Sequence, residues 1–286
     1  MVKVTGRYAS YLLLLPGLVT SVVGVVFPLL IMVPVSFYKF KFPTVIPEFT
    51  LANYVGYIFS AQTGAVLLNT FGLSAITCSL SFLIGYAVAY TLTFKIQNAV
   101  FKTYIISLLL VPFLIDWSIR TVAWISVLGE NGFINYLLVS TGIIAGPIRL
   151  LFSPISVFVI WLQTYTLFMM FPIYLAMNRI DPDYIRAAQV LRASPSRVQY
   201  EIIFKLSRPG IATGFAFVFV STLGDYVTPS LWAGGIQTLG LSIASYAGNY
   251  LWPQAAAMSM VMLIITLVAL YLLVTVGNIK KLIYER

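Results

Sequence analysis

Six long apolar runs decide what this chain can fold into. They cover about residues 10–38, 66–94, 103–128, 152–177, 209–232 and 254–279. Each reaches or exceeds the roughly 20 residues that carry a helix across a bilayer. Charged residues make up only 9% of the 286, and hydrophobic ones 60%. A soluble domain carries roughly 25% charged residues, so too little polar surface remains here to face water on all sides. The pattern predicts an all-α polytopic membrane protein with about six transmembrane helices. The first run, Ser10 to Tyr38, is too long for a signal-peptide core and lacks a small-residue cleavage site, so it is read as a retained helix. Pro16, Pro28, Pro34, Pro112 and Pro172 are the expected kink points.

Residue types exclude several chemistries. The chain has one cysteine, Cys78, and no histidine. An intrachain disulfide is impossible, a zinc or haem site is not expected, and His-dependent nucleophile triads are excluded. No metal and no cofactor are predicted. The net charge of +9 has a topological reading. With the N-terminus inside, thirteen of the seventeen Lys and Arg fall on cytoplasmic ends and loops. The other four are Lys39, Lys41, Arg120 and Arg149. That bias places both termini in the cytoplasm of a multi-pass cell-membrane protein, and nucleic acid is not implied.

The cytoplasmic loop 178–208 is not a flexible linker. Asp181-Pro182-Asp183 is a helix start, followed by helix formers from Tyr184 to Ala193. Ser194-Pro195-Ser196 stops that helix and starts another, with Ser194 as cap, running from Arg197 to about Leu206. Pro209-Gly210 marks the entry to the next span. Two readings of the loop stand. It docks on a partner, helped by the small residues Ala187 and Ala188, or it rests on anionic lipid through Arg186, Arg192 and Arg197. Outside the membrane, residues 39–65 are read as a short ordered crossing. Phe133 to Ile144 is read as a re-entrant or interfacial helix.

The loop resembles the coupling loop of ABC-importer permeases, whose pattern is Glu-Ala-Ala, three residues, Gly, nine residues, Ile-x-Leu-Pro. The aligned positions here are Arg186-Ala187-Ala188, Arg192, then Ile202, Phe204 and Lys205. The alanines, the spacing and the isoleucine match; the acid, the glycine and the proline do not. Similarity extends to Phe49-Thr50-Leu51-Ala52-Asn53-Tyr54, Leu68-Asn69-Thr70, Gly85 to Tyr90, Val111-Pro112-Phe113, and Asn131 to Asn135. Gly224-Asp225-Tyr226-Val227-Thr228-Pro229 with Gly234-Gly235 is similar to the spermidine/putrescine (PotB-type) branch. The resemblance implies one permease domain over 1–286, with 178–208 as its coupling loop. It also implies a second permease subunit, two cytoplasmic ATP-binding subunits and an extracytoplasmic substrate-binding protein. Tyr184, Arg186, Ala187, Ala188, Leu191, Arg192 and Ala193 would then meet the ATPase. The chain has no G-x-x-x-x-G-K-[ST] phosphate loop and is not expected to be an enzyme.

Of the eight acids, Asp116 and Asp225 alone fall inside apolar runs. Ionisable residues there are costly and mark substrate paths by default. Counted along continuous helices, Asp116 lies roughly 21 Å from its span's entry near Lys102 and Asp225 roughly 24 Å from its own near Pro209. They are expected at one level, able to receive a cation with spaced amines, with Trp117, Trp124 and Tyr226 adding cation–π contacts. The plainer readings are that Arg120, at i+4, neutralises Asp116, and that Asp225 caps a helix break. Three alternatives to a polyamine importer stay open. The same architecture can carry another solute (an opine, amino-acid derivative, quaternary amine, thiamine, phosphonate or iron). The subunit can be uncoupled from ATP hydrolysis, or it can be a membrane enzyme, for which no catalytic pair is evident.

Overall fold

The computed structural model describes residues 7–58 and 60–277. Among the described residues, six helical stretches are long and apolar enough to cross a membrane. They are Leu14–Ser36, Ala61–Lys95, Ser118–Ser140, Pro154–Met177, Pro195–Gly224 and Trp252–Thr275. The chain divides into two compact units, Met1–Gly64 with Ile243–Leu263 and Ala65–Ser242 with Ile264–Arg286.

In the first unit, α1 (Arg7–Ser21) runs through a wider π-type stretch, Val22–Val26, into α2 (Phe27–Ser36). The segment after it, read from sequence only as ordered, is a hairpin of β1 (Tyr38–Lys41) and β2 (Thr44–Phe49). Its base is tied by Asn53, whose Nδ2 donates to the carbonyls of Ser36 and Tyr38. Tyr54 OH donates to Ser36 Oγ at 2.7 Å.

The second unit is ordered around one central helix. α3 (Ala61–Tyr90) enters it from residue 65. After α3 come α4 (Ala99–Leu114), α5 (Trp117–Ala123), α6 (Ile125–Leu128), α7 (Phe133–Ser140) and α8 (Pro154–Met177). α9 (Pro182–Val190), α10 (Pro195–Val198), α11 (Lys205–Gly224) and α12 (Val227–Trp232) follow; α13 (Leu239–Gly248) starts in this unit and continues into the first, and α14 (Trp252–Val276) belongs to the first unit as far as Leu263 and to the second beyond it. Trp161, Met169, Ile173 and Met177 of α8 are fully buried. Glycines bring α11 against α8. A Cβ at Gly210 would lie 2.4 Å from the Pro172 carbonyl oxygen, and one at Gly214 would lie 2.9 Å from that of Met169. Helices in lipid gain by such close approach, because packing rather than water exclusion holds them together.

Two sequence boundaries need correction. The run 103–128 is not one helix. α4 stops at Leu114, Ile115 is extended, and Asp116 caps α5. The helical rise counted from Lys102 to Asp116 therefore holds only as far as Leu114. Pro209 does not open the fifth span; it sits inside α11, and helical turns run without interruption from Pro195. A π-type stretch, Gln199–Phe204, joins α10 to α11. The short helix predicted within Phe133 to Ile144 is α7. Buried Asn135 straps its loop, donating to the carbonyls of Gly129 and Ile148 and accepting from the Ile148 N–H.

Candidate functional site

Two helix breaks face one cavity. α11 ends at Gly224, and Asp225 turns the chain into α12. Its carboxylate is 3% exposed. One oxygen accepts from the Thr228 N–H at 3.0 Å. The other accepts from Trp161 Nε1 at 2.6 Å and from the Tyr165 hydroxyl at 3.3 Å. Trp161 and Tyr165 lie four residues apart, on one face of α8. A buried indole N–H and a buried phenol each need a polar partner, and Asp225 serves both. The capping expectation for Asp225 is what the geometry displays.

Asp116 sits at the second break. Its Oδ1 accepts from the N–H groups of Ser118 and Ile119, and the side chain is exposed. Among the described residues no ion pair joins it to Arg120. Arg120 has another task. In an unbroken helix the Pro112 carbonyl would accept from the N–H of residue 116. At the break Arg120 Nη1 donates to that carbonyl at 3.0 Å. Its Nε is buried and has no hydrogen-bond partner among the described residues.

Between the two breaks lies a cavity of about 780 Å³. Asp116, Arg120 and Asp225 line it, with Phe113, Tyr165 and Phe168 as its aromatic wall. The predicted pair of acids is thus brought to one space. The predicted aromatic neighbours are not: Trp124 is half-buried and Tyr226 exposed, and neither lines the cavity. The Trp117 side chain lies outside the described residues. Reading from sequence missed Trp161, Tyr165, Phe113 and Phe168. The available signal was two polar-tipped aromatics at i, i+4 in a span that holds no acid of its own.

The loop 178–208 folds locally. Asp181 caps α9 by accepting from the Asp183 N–H, and Pro182 holds the first helical position. The helix ends at Val190, short of the predicted Ala193. The reason is Arg192, which sits at φ +58°, in the left-handed region. The N–H of Ala193 returns to the Ala188 carbonyl and that of Arg192 to the Gln189 carbonyl, the paired bonds of a Schellman end. Ser194 then caps α10 by accepting from the Arg197 N–H. Arg186 pairs with Asp183 at 2.9 Å, both exposed. Tyr184, Ala187, Val190 and Leu191 are exposed on α9, whereas Ala188 and Ala193 pack against the core. The predicted contact set therefore divides between an outer face and an inner one.

Residues 81–279 match the family described as binding-protein-dependent transport system inner membrane component. Curated relatives agree. The chain is 28% identical to a spermidine/putrescine transport system permease protein PotB of Haemophilus influenzae, over 73% of each chain. It is 27% identical to the inner membrane ABC transporter permease protein YdcU of Escherichia coli, over 83% of this chain and 79% of that one. Solved structures show the same fold at lower identity. A chain of a bacterial alginate ABC transporter, crystallised with an alginate pentasaccharide-bound periplasmic protein, superposes with TM-score 0.74 at 16% identity, covering 93% of this chain and 92% of that one. A chain of the MetNI methionine ABC transporter gives TM-score 0.53 at 16% identity, over 77% and 96%. The match spans well over half of the sequence, and this chain belongs to the inner membrane components of binding-protein-dependent transport systems.

Proposed function

We propose that this chain forms the polyamine path of an ATP-driven importer. Family membership makes it a multi-pass permease subunit that leaves ATP hydrolysis to a separate protein. The observation that carries the substrate reading is the cavity itself, in which two carboxylates meet an aromatic wall. Among the described residues Oδ2 of Asp116 has no hydrogen bond, and it can receive an ammonium group; a charge-assisted contact of this kind is strong when partly desolvated. Asp225 spends its hydrogen bonds on Trp161, Tyr165 and Thr228. It contributes negative charge and holds Tyr165 at the wall. Phe113 and Phe168 offer faces to a passing cation. The relatives whose names specify spermidine and putrescine support this choice.

The rest of the machine follows the family. A second permease subunit completes the path, and an external binding protein delivers the substrate. Both termini and α9 face the cytoplasm, where the exposed side of α9 docks on one of two ATPases. Ala187 is the position to test docking, because Ala188 faces inward. Ala187→Trp should abolish substrate-stimulated ATP hydrolysis and leave membrane insertion intact; undiminished stimulation would place docking elsewhere.

One observation favours a second reading. The unpartnered Nε of Arg120 at the cavity suits a substrate that also carries an acceptor, such as an amino-acid derivative. Uptake of labelled putrescine into proteoliposomes of the full complex decides between them, with unlabelled putrescine and ornithine as competitors. The polyamine reading expects uptake that ornithine competes poorly. Stronger competition by ornithine would transfer the assignment to the amino-acid derivative.

A further inference from the structure

A groove lies beside α9, at the other end of α8 and α11 from the residues of the acidic cavity. It measures about 400 Å³ and is framed by the end of α8, the first turn of α9 and the start of α11. Its construction follows from three residues. Pro172 interrupts the hydrogen-bond ladder of α8, Pro209 does so on α11, and Gly210 lets the two backbones touch beside them. The contact at Gly210 closes the floor, so nothing passes between the helices there. Leu175 and Leu206 flank the groove and are 58% and 48% exposed. Leu175 stands near the end of the stretch Pro154–Met177 and Leu206 lies within Pro195–Gly224, both long and apolar enough to cross a membrane, where lipid is the surrounding solvent.

The mouth of the groove is of another character. Arg179 and Tyr184 stand there, immediately past the end of α8 and in the first turn of α9. Arg179 is exposed, and among the described residues no acid pairs with it. Asp183, the acid nearest in sequence that carries an ion pair, is engaged by Arg186. An apolar trough with an unpaired guanidinium at its membrane-surface end matches one chemistry, a hydrocarbon chain attached to an anionic headgroup.

We propose that this groove binds an anionic phospholipid, with one acyl chain along Leu175, Pro172 and Leu206 and the phosphate on Arg179. Basic recesses between spans at a membrane surface recognise anionic headgroups in this way. Tyr184 of α9 lines the same groove. The lipid then braces α9 against the bundle, and coupling depends on it. This inference does not rest on the substrate assignment.

The test uses the full importer complex, purified with phosphatidylglycerol and phosphatidylcholine in equal amounts, and counts retained lipid by native mass spectrometry. Unmodified complex should retain phosphatidylglycerol in preference. Arg179→Gln should lower that retention about fivefold, the worth of one basic side chain at a membrane surface, and Arg179→Lys should largely restore it. Glycerol 3-phosphate, which has the anion without the chains, should not displace the lipid. ATP hydrolysis stimulated by the binding protein, measured in nanodiscs, should fall when phosphatidylglycerol is omitted, and Arg179→Gln should be insensitive to that omission. Equal retention by Arg179→Gln, no preference over phosphatidylcholine, or displacement by glycerol 3-phosphate would each overturn the proposal. So would a cross-link from position 175 or 206 to another subunit, since protein would then fill the groove. None of these outcomes depends on which solute the complex imports.

Discussion

The cavity wall and the coupling loop both begin helices with aspartate, under opposite conditions. Asp181 in the loop is exposed and accepts from one near backbone N–H. Asp225 in the cavity wall is buried and accepts from Trp161 and Tyr165, more than fifty residues away in sequence, as well as from Thr228. Asp116 stands between them. It caps locally, as Asp181 does, but lines the same cavity as Asp225. The series separates two uses of one carboxylate. Where water solvates the cap, the residue only starts a helix. Where the protein supplies every donor, the residue fastens two helices together. Where a cavity takes the place of water, the residue starts a helix with one oxygen and, among the described residues, leaves the other without a hydrogen bond.

The largest effect should come from Asp225→Ala. The change leaves an indole N–H and a backbone N–H without their acceptor, and leaves the Tyr165 phenol only its 3.5 Å contact with the Ser221 carbonyl. Each buried unsatisfied group costs about 1–3 kcal/mol, so the complex should lose at least about 2 kcal/mol of stability. Denaturation of the purified complex, followed by tryptophan fluorescence, measures it. Asp225→Asn keeps the shape and one acceptor and should fall between. A stable Asp225→Ala complex that merely fails to transport would break the comparison, because Asp225 would then act on substrate and not on the fold.

Asp116→Asn should be smaller in stability and sharper in function. Asparagine caps a helix about as well as aspartate, so α5 should persist. The lost charge removes a charge-assisted contact worth about 1.5–3 kcal/mol, or roughly ten- to hundredfold in the putrescine concentration that half-saturates uptake. Asp116→Ala should add about 1 kcal/mol of instability from the missing cap. Equal uptake by Asp116→Asn and the unmodified complex would reduce Asp116 to the role of Asp181.

The same contrast explains what was legible in the sequence. The spans and the loop were, since apolar length, Asp-Pro-Asp and Ser-Pro-Ser act within a few residues of themselves. The helix stop before Ala193 was not, because arginine at a left-handed position gives no signal of its own. Asp116 and Asp225 were legible as costly charges expected at one level, although the helical count behind that expectation holds only as far as Leu114. Their partners were not, since Trp161 meets Asp225 across sixty-four residues and nothing local to either specifies that meeting. The contact of Arg120 was hidden for the same reason: the i+4 spacing offered a pair with Asp116 as one reading, while the helix break leaves a Pro112 carbonyl that the guanidinium takes up.

The smallest predicted effect sharpens the local side of the comparison. Arg192 closes α9 in the left-handed region at φ +58°, at the position where the family pattern has glycine. That conformation costs an L-residue roughly 1–2 kcal/mol, and glycine escapes the penalty. Arg192→Gly should therefore stabilise the end of α9 by up to about 1 kcal/mol, offset in part by the greater freedom of glycine when unfolded. Amide exchange at Arg192 and Ala193 reads the effect directly, because their N–H groups make the two bonds that close the helix. Protection there should rise severalfold, with none of the change reaching Asp225. ATP hydrolysis measured on the same variant asks a separate question. If the guanidinium meets acids on the ATPase, stimulation falls even as protection rises, and Arg192 is kept for its charge at a conformational cost. If both rise or hold, the arginine has no partner there. Protection that stays level or drops would mean that Arg192 suffers no strain at this turn.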